Sequence, residues 1–382
     1  MEREIFDHDH DDFRASVRRF VADEISPNFE KWEEEGLTPR EVFKKAGEKN
    51  MLAMNAPEEY GGLGIDDFRF NQVIAEEGQY AGATGSMLGI TLHNDVCFPY
   101  FMEYCTDEQK ERWIPGIVDG SLITAVAMTE PGIGSDLASM STKAIRDGDH
   151  YVVDGSKTFI TNGINADLII TAVKTDPKEK HKGMSLVIIE RGMAAFERGR
   201  NHDRCGMHSQ DTAELFFNEV PVPVENRLGE EGLGFKYLVF NLAQERLSIA
   251  VAAIASAQAA LDWTLEYVKE RTAFGKPIGS FQNSRFKLAE MKTEIDIGTV
   301  YLDRCVMALN AGKLSVEDGA KVKWWSTEMC GRVIDECVQL HGGYGYMNEY
   351  PIARAWADNR VTRIYGGTTE IMKEIVGRSL GV

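Results

Sequence analysis

The spacing of apolar and polar positions changes character twice along the 382 residues. Up to about residue 120 the pattern reads as helices. Thr38-Pro39-Arg40-Glu41 has the form of a capping box with proline at the first helical position, and Thr106-Asp107-Glu108-Gln109 has the form of a second. Tyr60-Gly61-Gly62-Leu63-Gly64 reads as a loop, and Asp66-Asp67 as the start of a helix through Val73-Ile74. From about 121 to 228, short apolar runs take over at 122–128, 151–160, 168–173, 184–190 and 213–217. The run 151–160 predicts two strands joined by an Asp154-Gly155 turn, and 174–182 a polar, Lys-rich loop. Evenly spaced short strands suggest a small β-barrel or sandwich. From about 229 helical spacing returns, with helices over about 235–270, 281–311 and 316–341. Gly342-Gly343-Tyr344-Gly345 interrupts them and Pro351 opens the next segment. The expected class is α+β, mainly α: an N-terminal helical domain (1–120), a β-barrel domain (121–228) and a C-terminal helical domain (229–382).

Within the first long C-terminal helix, Leu238, Leu242, Glu245 and Ile249 are spaced +4, +3, +4 and share one face. Three are apolar and one is a carboxylate. Burying an ionised carboxylate is costly unless it is paired or its pKa rises. A carboxylate moved toward neutral pH is a useful general base. The bland alternative is a structural ion pair at a packing seam, although the adjacent Arg246 lies on another face.

Composition narrows the partners. The formal net charge is −18, which argues against nucleic acid and against an anionic membrane surface. A small anionic ligand needs only a local basic pocket. The cysteines at 97, 105, 205, 305, 330 and 337 form no CxxC pair and no zinc pattern, and read as reduced, mostly buried thiols. The start, MEREIFDHDHDD, resembles neither a signal nor a transit peptide, so a cytoplasmic location is expected. His8 and His10 read as solvated rather than as metal ligands. No run approaches 18 apolar residues, so no transmembrane helix is expected.

GxGxxG after a strand, GxxxxGK[ST], HExxH and GxSxG are all missing. Three other stretches stand out. The first, residues 127–136 (AMTEPGIGSD), places two glycines and hydroxyls directly after a strand, which suits backbone approach to a ligand. The second, 271–277 (RTAFGKP), sets an arginine beside an aromatic where a long helix stops, suiting a phosphate next to a flat ring. The third is 339–346 (QLHGGYGY), followed by 363–370 (RIYGGTTE). Taken singly, each could be an ordinary loop or corner.

In this order and spacing, together with TFITNG and DTAEL, these stretches resemble the acyl-CoA dehydrogenase family over nearly the whole chain. The resemblance implies a helical domain, a β-barrel and a C-terminal four-helix domain, with FAD as cofactor. By similarity, the loop carrying Met128, Thr129, Gly134 and Ser135 would hold the isoalloxazine ring with Phe159, Ile160 and Thr161. Thr368 and Glu370 would meet the ribityl and pyrophosphate part. Arg271, Phe274, Gln282, Gln339, Gly342 and Gly343 would reach the FAD of a neighbouring subunit, which implies a homotetramer. Ser135, Gln244, Arg246, Tyr365, Gly366 and Gly367 would border the substrate.

One departure is informative. Most members carry the catalytic glutamate between the Tyr and Gly of a Tyr-Glu-Gly-Thr loop, where this chain has Gly366. The long-chain and isovaleryl types instead place it on a helix, in a Glu-Arg pair before an aliphatic run, as in Glu245-Arg246-Leu247. The family reading and the helix-face reading therefore converge on Glu245 as base. The implied reaction is oxidation of an acyl-CoA thioester to the trans-2-enoyl-CoA in fatty-acid β-oxidation, with electron-transferring flavoprotein as acceptor. The details of 338–353 and 364–374 look closest to the long-chain type, and a branched short chain is the alternative. An oxygen-reactive acyl-CoA oxidase-like or flavin monooxygenase enzyme and a flavin-free helical scaffold are the rivals.

Overall fold

The structure is a computed structural model, described here over residues 3–381. Its N-terminal part is helical: α1 (His8–Phe20), α2 (Phe29–Glu35), α3 (Glu41–Glu48), α4 (Phe68–Tyr80), α5 (Thr84–Thr91), α6 (Phe98–Tyr104) and α7 (Asp107–Val118). Wide π-type turns cover Val21–Ile25 and Leu92–Cys97. Val17, Phe20, Ile25, Phe43, Val73, Ile74 and Ile90 form its core. Asp67 caps α4, and Thr106 with Gln109 makes the full capping box of α7. The box expected at Thr38 does not form. Thr38 instead donates to the Ser209 carbonyl, and α3 starts uncapped after Arg40. A long-range partner outcompeted the local one.

Eight strands follow: β1 (Thr124–Ala127), β2 (Lys143–Asp147), β3 (His150–Thr161), β4 (Leu168–Lys174), β5 (Met184–Glu190), β6 (Phe196–Asn201), β7 (Thr212–Pro223) and β8 (Arg227–Leu228). Their order is β6-β7-β3-β2-β4-β5-β8, with β1 parallel to β4. The sheet is not the closed barrel expected. Its end strands β6 and β8 share no ladder, and β8 has only two residues before the chain turns toward helix. Helices do the covering instead: Phe98, Phe101, Trp113 and Ile114 of α6 and α7 pack on Leu168, Ile170, Leu186 and Ile188. The opposite side chains of β4 and β5 pack on β3 and β7 through Ile169, Val187, Val153 and Leu215. Buried on both sides, β4 and β5 read as continuous apolar runs.

Asp154-Gly155 is not a turn either. β3 passes straight through it as a bulge, and the hairpin turn lies between β2 and β3 at Gly148-Asp149. Gly155 has φ +144°, and a Cβ there would meet Thr142 Cα at 2.7 Å, so glycine serves a close strand crossing.

The C-terminal part has three long helices, α8 (Gly234–Glu270), α9 (Gln282–Asn310) and α10 (Val316–His341), and two short ones, α11 (Pro351–Asn359) and α12 (Thr369–Ser379). The fourth helix implied by resemblance is thus divided in two by the turn at 360–368. Ala250, Ala253, Ala257 and Ala260 let α8 approach α10 closely around Met329, Val333 and Cys337. One 18-residue window of α8 has mean hydropathy 1.4, enough by length and composition to cross a bilayer, contrary to the expectation from apolar runs. Of that window 61% is buried in protein, so α8 is the core helix here.

α8 begins against the sheet. A Cβ on Gly234 would lie 2.8 Å from the Ser185 backbone of β5. Gly234→Ala therefore forces α8 off the sheet. It should cost about 1–3 kcal/mol, read as a lower urea midpoint at unchanged m-value.

Candidate active site

Glu245 lies at the end of the first third of α8 and is 4% exposed. Its Oε1 accepts a hydrogen bond of 3.0 Å from the Tyr100 hydroxyl of α6. Among the described residues this is its only hydrogen bond, and it joins no ion pair. The structural ion pair considered above does not form. Burial pushes the Glu245 carboxyl up to about 7, against the pull of the Tyr100 hydroxyl and the Arg246 charge. Arg246 is also 4% exposed, but as the next residue it leaves the helix about 100° away. Its Nε has no partner among the described residues, and its Nη2 lies 3.9 Å from where a Gly367 Cβ would be.

The loop Tyr365–Thr368 is held from two sides. Lys323 of α10, fully buried, donates to the Gly367 carbonyl at 2.6 Å. Burial and the nearby Arg246 charge lower the Lys323 ammonium to about 7. Gly366 has φ +62°, and a Cβ there would meet Ile249 Cδ1 at 2.3 Å. Ile249 is one turn beyond Glu245 on the same face, so the Gly366 loop packs against that stretch of α8. Gln244 turns aside and donates to the Asp95 carbonyl at 2.9 Å.

A second group surrounds the loop after β1. Thr158 N–H donates to the Thr129 carbonyl at 3.0 Å, joining that loop to β3. The loop is anchored beneath by a buried pair absent from the sequence expectations. Lys157 Nζ lies 3.0 Å from both Glu130 Oε1 and the Met128 carbonyl. Glu130 also accepts from the Ser141 and Thr142 amides. Burial opposes it, but the Lys157 charge and these donors hold the Glu130 carboxyl at about 2. Cβ atoms at Gly132 and Gly134 would meet nothing within 4 Å, and Ser135 is exposed. Phe159 stands beside this loop, 64% exposed, on a bulge with φ +59°. Ile160 is buried beneath it and Thr161 is half-buried. The Phe159 ring leans on His202 at 5.1 Å in a tilted contact yet stays largely exposed. An open backbone cradle next to an exposed ring fits a flat heteroaromatic such as isoalloxazine. Thr368 caps α12 by accepting from Ile371 N–H, and Glu370 lies in that first turn.

Arg271, Phe274, Gln282, Gln339, Gly342 and Gly343 form a separate exposed group where α8 and α10 end and α9 begins. Arg271 lies over the Tyr344 ring at 5.7 Å. Phe274 is 95% exposed, has φ +52° and touches Phe281 only edge-on.

Family models for the N-terminal, middle and C-terminal domains of acyl-CoA dehydrogenases match residues 7–121, 125–220 and 232–381. The chain belongs to the acyl-CoA dehydrogenase family. These proteins are oxidoreductases, and the family is FAD-dependent. The mouse mitochondrial long-chain specific acyl-CoA dehydrogenase is 45% identical, over 99% of this chain and 88% of its own. The crystal structure of an acyl-CoA dehydrogenase from Geobacillus kaustophilus superposes with TM-score 0.97 at 50% identity, covering 100% of both chains. A Mycobacterium smegmatis glutaryl-CoA dehydrogenase in complex with FADH2 superposes with TM-score 0.91 at 27% identity, covering 98% of this chain and 95% of that one. Like these acyl-CoA dehydrogenases, the present chain sets a mainly helical frame around one central sheet.

Sequence reasoning missed Tyr100, Lys157 with Glu130, Asp95 with Ser248, and Lys323. Only Tyr100 left a trace, an i, i+4 pair with Tyr104 in a short apolar stretch.

The raised carboxyl makes stability depend on pH. Below about 4.5, the ordinary value, Glu245 is neutral folded or unfolded; above about 7 the folded state must bury its charge. Stability should therefore fall by roughly 3 kcal/mol as pH rises through that window. Glu245→Gln should remove this component, read as the wild-type-minus-variant difference in urea unfolding at stepped pH. Subtraction cancels Asp95 and Asp358, which burial also raises, to about 6 and about 7.

Proposed function

We propose that this chain is an FAD-dependent acyl-CoA dehydrogenase that converts a medium- or long-chain fatty acyl-CoA to the trans-2-enoyl-CoA, with Glu245 as base. The observation that carries the reading is a buried carboxylate without a cation partner, beside a glycine loop. Near neutral pH a large fraction of Glu245 is ionised yet poorly solvated, which suits removal of the weakly acidic proton next to the thioester carbonyl. Negative charge then grows on the carbonyl oxygen and needs donors already in place. The Gly366 loop, tied to α10 through Lys323, offers its backbone N–H groups without reorganising. Tyr100 and Leu238, both fully buried and in the same apolar cluster on the Glu245 face of α8, keep water from the carboxylate. FAD, held by the 128–135 loop and Phe159, would supply the hydride acceptor for the adjacent carbon.

The exposed Phe274 and Arg271 support a contribution to the cofactor site of a second copy, hence the homotetramer. Electron-transferring flavoprotein as acceptor and a cytoplasmic setting complete the proposal. The long-chain preference rests on similarity to the mouse long-chain enzyme.

Anaerobic bleaching of the bound flavin by acyl-CoAs of increasing length tests this. Wild type should bleach fastest with medium or long chains; fastest bleaching by isovaleryl-CoA would assign the branched-chain activity instead. Glu245→Gln should retain flavin while bleaching about 10²–10⁴-fold more slowly. Bleaching at the wild-type rate would remove Glu245 from the mechanism.

A further inference from the structure

A buried tyrosine hydroxyl needs a partner, and Tyr100, fully buried, has one only among the described residues: Glu245 Oε1. The approach is set up by contacts on both sides of Glu245. The turn before α6 presents Asp95 to α8, where the Gln244 amide donates to its carbonyl and the Ser248 hydroxyl to its carboxylate. Asn71 of α4 holds the same carboxylate at 2.6 Å. These bonds at 244 and 248 fix the register of the turn against α8. Pro99 in the first turn of α6 stiffens the step to Tyr100. The hydroxyl thus arrives at one carboxylate oxygen and leaves Oε2 with no donor among the described residues.

We propose that Tyr100 is a positioning residue for the base: it clamps Oε1, so that Oε2 is the oxygen that takes the substrate proton, and it keeps the carboxylate ionised enough to work at neutral pH. This rests on the reading of Glu245 as base. The groups facing Glu245 are few. Tyr100 comes from α6, and the Cys97 thiol from the turn before it. Arg246 is on its own helix, with Lys323 of α10 behind Arg246. The Gly366 loop brings no charged side chain. Burial, the Glu245 charge and the hydrogen bond to it push the Tyr100 phenol well above its ordinary value, so it stays a donor throughout the working range. Cys97 is likewise held as a thiol by burial. Tyr100 is therefore the one neutral donor on the carboxylate.

The test is the pH profile of flavin reduction in the holoenzyme at saturating acyl-CoA. Losing a charge-assisted hydrogen bond in Tyr100→Phe should move the acid limb up by about 1–2 pH units. Site-specific 3-fluorotyrosine at position 100, a more acidic phenol of similar volume, should move it down. It also decides the matter if Tyr100→Phe does not fold. The pH-dependent stability component of Glu245 should move in the same directions, independently of turnover. A merely space-filling tyrosine predicts no such opposed shifts. An acid limb that vanishes in Glu245→Gln but coincides with wild type in both position-100 variants overturns the role of Tyr100 alone. A limb that survives in Glu245→Gln overturns the assignment of the base, and the Tyr100 proposal with it.

Discussion

Everything around the centre follows from taking one carboxylate out of water without giving it a cation. Desolvation of an ion in a protein interior costs several kcal/mol, and a paired cation is the common remedy. Here the nearest cation in sequence, Arg246, is turned away by helix geometry. Its charge, with that of Lys323, is directed to the Gly366–Gly367 loop instead. The carboxyl responds by titrating near neutrality rather than by pairing. The helix bearing it must then be apolar almost all round, which is why α8 is long, alanine-rich and membrane-like in composition while lying at the core of the helical part.

The same constraint explains the glycine loop. Ile249, one turn from Glu245, lies under Gly366, so any side chain at 366 enters the space governed by that turn of α8. This chain carries its acid on the helix and keeps the loop against that helix bare. Lys323 then holds the bare loop by its Gly367 carbonyl, a contact that leaves the backbone N–H groups free.

Legibility followed the range of the interaction. The three long C-terminal helices are legible because their periodicity is local and sustained; the bounds 316–341 expected from sequence are those of α10. Glu245 was readable because one acid on an apolar stripe breaks a helical pattern. The closed barrel was a poorer inference, since strand spacing shows where strands are and not which end strands meet. Asp154-Gly155 misled because glycine serves a bulge at a strand crossing as readily as a turn. Tyr100 was unreadable because its partner lies 145 residues away, and its helix has only seven residues.

Local rules break in two opposite ways along this chain, and the breaks are complementary. A carboxylate is buried where charge belongs in water, and phenylalanines at 159 and 274 stand exposed where apolar rings belong inside. Both rings also occupy left-handed backbone, at φ +59° and +52°, a conformation that costs of order 1–3 kcal/mol at a non-glycine residue. Such strain persists only where the surroundings over-determine it. At Phe159 they do: Lys157 is anchored to Glu130 and the Met128 carbonyl, and Thr158 N–H is bonded to the Thr129 carbonyl. The flanking residues thus fix the strand on the side the ring leaves open. A flat ligand on Phe159 would relieve the exposed ring, and a thioester beside Glu245 would give the buried acid a use. Folding stability alone accounts for neither feature, which is why departures from local consistency mark the site more reliably than any single motif.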